Sequence, residues 1–340
     1  MARPVRILSV QVIRATKPAD KKIGNAVHLI RSEKSIMKQP RITVITPNLN
    51  QVSFVERAIC SVIDQGYDNL EFIVVDGGST DGSDEVIRIY EAELAHLIIE
   101  PDRGPGDAIN KALRRATGQI IGLLPSTDLM LPGTLDQVAR AMTADDGPDW
   151  LVGQSMRIGV FDETLGQCDT APPASLASFL QRDSGFLPHN ASFWNKAVTD
   201  RVGLFDPDLR YAYSYDYFCR MLAFGIEPTI ATQTLGAYRV TARTRDAVST
   251  LEQGQERIAV ARRYADRLTM AERYQLWANC ENRLRIYALA QAEMQADFSK
   301  RFLVGQLLRH PWWITNDMFR HRLLHGIAHP AQPDTRHHAA

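Results

Sequence analysis

The chain has 340 residues, 45% hydrophobic and 23% charged, which excludes a wholly disordered, collagenous or disulfide-scaffold protein and leaves ample apolar surface for a core. Its 39 Lys and Arg equal its 39 Asp and Glu, so the basic excess of a dedicated nucleic-acid binder is missing and no nucleic-acid partner is expected. Cys60, Cys168, Cys219 and Cys280 stand far apart with no CxxC pair, a pattern that suits a reducing compartment and argues against a structural zinc site.

Residues 1–40 form a basic leader in which Arg3, Arg6, Arg14, Lys17, Lys21, Lys22, Arg31, Lys34 and Lys38 face only Asp20 and Glu33. We read it as a solvated extension, with an anionic surface partner as the alternative. It lacks a long apolar stretch before a small-residue cleavage site, and no run in the chain approaches the roughly 18–20 apolar residues that span a bilayer. The expected location is the cytoplasm, with attachment at the inner face of the membrane as an extension of that reading.

From Arg41 strand and helix signals alternate. Arg41–Thr46 reads as a buried strand stopped by Pro47, and a helix capped by Ser53 carries Phe54, Ala58, Ile59, Val62 and Ile63 on one face. Leu70–Val75 is a second strand ending at Asp76, followed by a Gly77–Gly82 loop and a helix from Ser83 to about Glu93. Leu97–Ile99, a helix opened by Asp107, and Gln119–Leu124 complete the series. This alternation predicts an α/β fold, a mostly parallel sheet covered by helices on both faces. Trp150–Val160 and the segment around Gln167 read as a hairpin. Beyond residue 245 come helical stretches, Glu256–Ala265 and Glu272–Gln295, so residues 41–245 form the expected main domain and 246–340 a helical C-terminal region.

In that last region Phe302, Leu303, Leu307 and Leu308 recur at helical spacing, Trp312 and Trp313 precede Phe319, Leu323 and Leu324, and Arg301, Arg309, Arg320 and Arg322 are interspersed. Two readings stand: a helix lying in an anionic bilayer interface, or apolar faces packed on the main domain or on a second subunit of a homo-oligomer. The terminal His337-His338 pair is too short to indicate a metal site.

In an open parallel sheet, ligands bind beyond the carboxyl ends of the strands. Polar residues gather there: Thr46-Pro-Asn-Leu-Asn50, Asp76, Asp102-Arg-Gly-Pro-Gly-Asp107 and Ser126-Thr-Asp128. Together they predict a polar crevice of nucleotide size. Neither G-x-G-x-x-G nor a P-loop follows the first strand, which leaves carboxylates beside a nucleotide. Asp76 can accept a base N–H, and Asp128 can supply oxygen to a divalent cation.

The run Ile45-Thr-Pro-Asn-Leu-Asn-Gln51, with Leu70–Ser83, Glu100–Leu113 and Leu123–Leu135 in the same order, resembles the family 2 glycosyltransferases of GT-A fold. The resemblance spans about Arg41 to Tyr238. It implies transfer of a sugar from a nucleoside diphosphate sugar, most commonly of uridine, to a saccharide or lipid-linked acceptor, with inversion and with Mg²⁺ or Mn²⁺. By position it implies that Thr46, Pro47 and Asn50 line the nucleoside pocket, that Asp76 contacts the base and that Asp107 sits near the ribose or base. Arg103 and Thr127 join the donor side, and Asp128 holds the metal.

Two departures stand out. Where the family usually has Asn-Ser-Asp-Asp, this chain has Pro125-Ser-Thr-Asp128, so Thr127 replaces the first carboxylate. On the acceptor side, Tyr213-Ser-Tyr-Asp-Tyr217 puts Ser214 where the family's first acid stands. An inverting transferase needs a general base within reach of the acceptor hydroxyl. Asp216 is the nearest remaining acid, with an ion pair to Arg220 as its alternative role, and His189 is the second candidate. Arg239 and Arg243 are read as neutralising phosphate or as solvated. The rival functions are a non-catalytic nucleotide- or partner-binding relative, motivated by Thr127 and Ser214, and a sugar-nucleotide pyrophosphorylase, whose early basic Gly-rich loop is absent.

Overall fold

The computed structural model describes residues 39–168, 170–181, 187–241, 251–294 and 300–325. Most of the leader, Arg243, the division expected after residue 245 and the terminal histidines lie outside them. The described residues from Pro40 onward form one compact unit.

The sheet is built from β1 (Ile42–Asn48), β2 (Leu70–Asp76), β3 (His96–Ile99), β4 (Ile120–Leu123), β5 (Leu129–Met130), β6 (Trp150–Ile158), β7 (Thr164–Cys168), β8 (Ser192–Asn195) and β9 (Thr229–Arg239). Their order is β3-β2-β1-β4-β8-β6-β9-β5, with β7 pairing β6. The pairs from β3 to β4 are parallel, as is β6 with β9, while β8 runs antiparallel to its neighbours. The expected hairpin is β6–β7.

Alternate residues of each central strand feed opposite cores, because side chains project with a period of two. Val44, Phe72 and Val74 pack with Ile59 and Val62 of α1 (Val55–Ile63) and with Val138 of α4 (Thr134–Met142). Ile45, Ile73 and Val75 pack on the other face with Ile109 of α3 (Pro105–Leu113) and with the body of α7 (Tyr213–Ala223). This second core continues into α8 (Leu251–Arg263) and α9 (Met270–Met294). It also takes in Leu303, Trp313 and Phe319, all fully buried, so packing within the chain accounts for the centre of the tail. Leu308 and Leu324 remain exposed. No described helix is long and apolar enough to cross a membrane.

Several boundaries differ from the sequence reading. β1 runs through Pro47 to Asn48, since the Pro47 carbonyl can still accept, here from Ser126 N–H at 3.3 Å. Ser53 does not cap α1, whose first turn has no side-chain cap. α3 opens at Pro105, whose fixed φ suits a first helical position, and Asp107 instead accepts the Arg103 N–H at 3.2 Å, an arrangement like a capping box. α2 (Ser83–Ile89) stops short, and Glu91–Glu93 form a 3₁₀ turn.

At the amino ends of the strands a buried carboxylate ties β1, β2 and the start of β4 together. Glu71 accepts from the Thr43 and Thr117 hydroxyls and from the Thr117 and Gly118 N–H groups, with Arg41 Nη2 at 3.2 Å. Burial alone would raise its pKa, but these donors hold it below the ordinary glutamate value. Glu71 therefore stabilises the fold above that value, and its contribution is lost as pH falls through the lowered one. Glu71→Ala should cost roughly 3 kcal/mol in equilibrium denaturation, because several buried donors lose their acceptor together. A loss under about 1 kcal/mol would contradict this account.

Candidate active site

At the carboxyl ends of β1, β3 and β4 lies a pocket of about 420 Å³. Pro47, Asn48, Leu49 and Gln51 line it after β1, Asp102, Arg103, Gly104 and Pro105 after β3, and Pro125, Ser126 and Thr127 after β4; Arg210, Tyr211 and Tyr213 close it from the start of α7. The fold thus brings the expected strand-end loops to one crevice.

Of the sequence-predicted residues, Pro47, Arg103 and Thr127 line this pocket directly. Asp76 does so indirectly. It is fully buried, and its Oδ1 accepts the Gly78 and Ser79 N–H groups at 3.0 and 2.7 Å. Its Oδ2 accepts Asn48 Nδ2 at 2.6 Å and the Ser79 hydroxyl at 2.7 Å. Four donors fill a carboxylate's usual capacity, so Asp76 shapes the turn after β2 and orients Asn48, which itself faces the pocket. Asn50 ties the same loops. Held at φ 53, it donates its N–H to the Ser79 hydroxyl at 2.8 Å and accepts Thr80 N–H at 2.8 Å through Oδ1. Thr46 is fully buried, and its hydroxyl has no protein partner.

Asp107 pairs loosely with Arg103, 3.9 Å apart, and Arg103 also reaches Asp208 at 3.5 Å. Asp102 lies inside this loop and accepts the Gly104 N–H at 2.9 Å. Burial raises its pKa, opposed by the Gly104 N–H and the Lys111 charge. A Cβ at Gly77 would meet Asp102 Oδ2 at 2.2 Å, so the glycine lets the loops after β2 and β3 close on each other.

Beneath Thr127 lies Asp128, fully buried. Its Oδ1 accepts the Arg239 N–H at 3.1 Å and the Thr127 hydroxyl at 3.0 Å, whereas Oδ2 has no partner. The Asn190 amide lies close enough to favour the anion without completing a hydrogen bond, and Asn190 Nδ2 is likewise unpartnered. Burial pushes the Asp128 pKa up to about 7, against these donors and the Arg239 charge. A buried carboxylate oxygen without a partner fits a divalent cation, since Mg²⁺ is commonly held by one or two carboxylates with phosphate and water completing its shell. The described residues offer no cluster of three or more His, Cys, Asp or Glu side chains that would cage a metal unaided.

Arg239 corrects the sequence reading. Its guanidinium is neither solvated nor set apart for phosphate, because the side chain is fully buried at the end of β9. Nε donates to the Thr127 carbonyl at 2.7 Å and Nη1 to the Gly159 carbonyl at 2.6 Å, while Nη2 pairs with Asp162. The group also lies over the Phe54 ring, 5.0 Å from its centroid.

Of the residues that the sequence reading assigns to the acceptor side, His189 lies beside the pocket-lining Tyr213, with ring centroids 6.2 Å apart. Its edge keeps some solvent contact, yet protein surrounds it, and the lost hydration lowers its pKa to about 4. The imidazole is therefore neutral near pH 7. Asp216 is not brought to the pocket. It is buried one turn into α7, with Arg220 Nε at 3.0 Å, Arg263 Nη1 at 3.5 Å and the Tyr264 hydroxyl at 3.3 Å. Ser214 lies in the first turn of the same helix.

An open α/β sheet with a strand-end pocket over one buried aspartate is the architecture of a nucleotide-sugar transferase of GT-A fold. The Glycosyl transferase family 2 model matches residues 43–203. An uncharacterised glycosyltransferase of Mycobacterium tuberculosis is 31% identical over 187 residues, covering 53% of this chain and 68% of the relative. The chain belongs to the family 2 glycosyltransferases. A putative teichuronic acid biosynthesis glycosyltransferase of Bacillus subtilis is 39% identical over 93 residues, 26% of this chain and 37% of that protein. In fold, the chain resembles a mannosyltransferase of Pyrobaculum calidifontis solved with GDP-mannose and Mn²⁺, with a TM-score of 0.55 and 21% identity over 88% of this chain and 89% of that one.

Sequence reasoning missed Asn48, Asp102, Tyr211 and Tyr213 as pocket residues. The first two stand inside runs already singled out, and strand register would have found Asn48, which pairs with Asp76. Tyr213 heads the Tyr213–Tyr217 run, and no local pattern marks Tyr211.

Between pH 6.5 and about 4 the unfolded chain protonates His189 while the folded chain does not. Stability should therefore fall on acidification through that window, by up to about 3 kcal/mol from this residue. His189→Gln should remove that part of the slope in denaturation curves recorded at several pH values, and an unchanged slope would refute the assignment.

Proposed function

We propose that this enzyme transfers a sugar from a nucleoside diphosphate sugar, a UDP-sugar by preference of its family, to a saccharide or lipid-linked acceptor in cell-envelope glycan synthesis at the inner face of the membrane. The reading rests on one observation above all: the unpartnered, buried Oδ2 of Asp128, next in the chain to Thr127, which lines the pocket built by strand-end loops. The teichuronic acid relative supports a cell-envelope glycan, and the mannosyltransferase of shared fold holds a nucleotide sugar with Mn²⁺.

In this reading Asn48, Asp102 and the Asp76-shaped turn receive the nucleoside, Thr46 and Pro47 flank it, and Arg103 attends the donor with Asp107 setting its loop. Asp128 holds Mg²⁺ or Mn²⁺, which when bound supplies Lewis acidity to the leaving diphosphate. Transfer inverts the anomeric centre, so a protein group removes the acceptor proton. We assign that proton to His189 rather than Asp216. Neutral imidazole with a pKa near 4 has the basicity of an ordinary carboxylate, whereas Asp216 is committed to Arg220 and Arg263.

The test is a panel of UDP- and GDP-sugars, with and without Mn²⁺, read by thermal shift and by slow donor hydrolysis. The matching donor should raise the melting temperature, since saturation at a hundredfold above Kd stabilises by about 2.7 kcal/mol. Asp128→Asn should abolish the metal-dependent part of both signals. Binding with neither hydrolysis nor transfer to any acceptor in a broad panel would instead establish the non-catalytic reading that Thr127 and Ser214 motivate. Once an acceptor is found, His189→Gln should slow transfer about 10²–10⁴-fold with nucleotide binding intact. Full transfer by a folded His189→Gln protein would remove the base from His189.

A further inference from the structure

We propose that Glu256, in the helical C-terminal region, is a positioning residue of the transfer site, holding residues 210–212 as one wall of the pocket. The inference rests on the reading of that pocket as the transfer site.

The Glu256 carboxylate accepts three successive backbone N–H groups. Oε1 takes that of Arg210 at 2.7 Å, and Oε2 takes those of Tyr211 and Ala212 at 2.6 and 2.5 Å. Ala212 is the N-cap of α7 and offers no side-chain acceptor of its own. Glu256 thus satisfies, from another helix, the N–H of the N-cap residue, which a capping-box glutamate would engage locally, together with those of the two residues before it, and it sets a negative charge at the positive end of α7. Arg210 and Tyr211 line the pocket beside Tyr213, the first residue of α7. The hydrogen bonds therefore fix the backbone from which this wall projects.

The rest of α8 strengthens the grip. Arg257 stacks over the Tyr215 ring, 4.2 Å from its centroid, and Arg263 bonds Asp206 at 2.7 Å while reaching Asp216 at 3.5 Å. These contacts also give Asp216 its work: it anchors α8 to α7 from behind the pocket. The loops after β1 and β2 have no bond to Glu256 among those described, so nucleoside binding and wall position are separable. The C-terminal helical region is, on this account, part of the active site and not an appendage.

The experiment uses the full chain with Glu256→Ala and Glu256→Gln. Hydrogen exchange at the amides of Arg210, Tyr211 and Ala212 should speed up at least about tenfold in Glu256→Ala, with β1 and β2 unchanged. Gln keeps one acceptor oxygen and loses the charge and the second acceptor, so it should restore protection at Tyr211 and Ala212 while Arg210 stays fast. With a nucleotide sugar that the wild type turns over, kcat/KM should fall about 10–100-fold in Glu256→Ala and recover in part in Glu256→Gln. UDP or GDP affinity in Mn²⁺ should stay within about twofold. Unchanged exchange at 210–212, or faster exchange with wild-type kcat/KM, would overturn the proposal. So would a kinetic loss that merely tracks a uniform fall in folded protein. A wild-type protein that turns over no nucleotide sugar would overturn the transfer reading instead, while the exchange data would still decide whether Glu256 holds the wall.

Discussion

A single buried cation organises the floor of this site. Arg239 is fully enclosed, and an enclosed guanidinium is tolerated only when its donors are met and its charge is balanced. Here the Thr127 and Gly159 carbonyls, Asp162 and the Phe54 face meet it. These groups come from the segment after β4, the turn of the β6–β7 hairpin and the start of α1. Satisfying one guanidinium therefore fixes three separate pieces of chain against β9. The Arg239 N–H in turn holds one oxygen of Asp128, and the other has no hydrogen-bond partner.

The same economy appears in the loops above. Asp76 spends its whole hydrogen-bonding capacity on the turn after β2 and on Asn48, and Asn50 stitches that turn to the loop after β1. Carboxylates at strand ends do two kinds of work in this protein. Those with every oxygen engaged, Asp76 and Glu71, build the frame; Asp128 keeps one oxygen without a hydrogen-bond partner. The difference lies in the number of backbone N–H groups that converge on each one, a property of loop conformation and not of residue type.

The acceptor side depends on distant chain. Ser214 removes the acid that the family usually carries there, and Asp216 is turned to Arg220 and Arg263 behind the pocket. What stands at the wall is aromatic and cationic, Tyr211, Tyr213 and Arg210, backed by His189 and held by the carboxylate of α8. A helix that packs on α7 through Arg257 and Arg263 can thereby set the shape of one wall of the pocket.

The sequence by itself determined the α/β architecture and the strand-end crevice, because buried parallel strands require continuous apolar runs and their ends require polar turns, both local in the chain; the family was legible through the resemblance of its ordered motifs. It marked Thr127, Asp128, Pro47 and Arg103 within contiguous motifs, and the structure keeps them at or beneath the pocket. Tertiary structure alone decided which side chains are spent and which are free. Asp216 reads as a base or as the partner of Arg220, and Arg239 as neutralising phosphate or as solvated; only the fold shows Arg263 and Asp162, 47 and 77 residues away, paired with them. The bonds from Glu256 to residues 210–212 are equally illegible in sequence, since a carboxylate and three backbone amides carry no pattern until packing brings α8 against α7. Hydrogen bonds and ion pairs act over a few ångströms, and only the folded chain sets those distances.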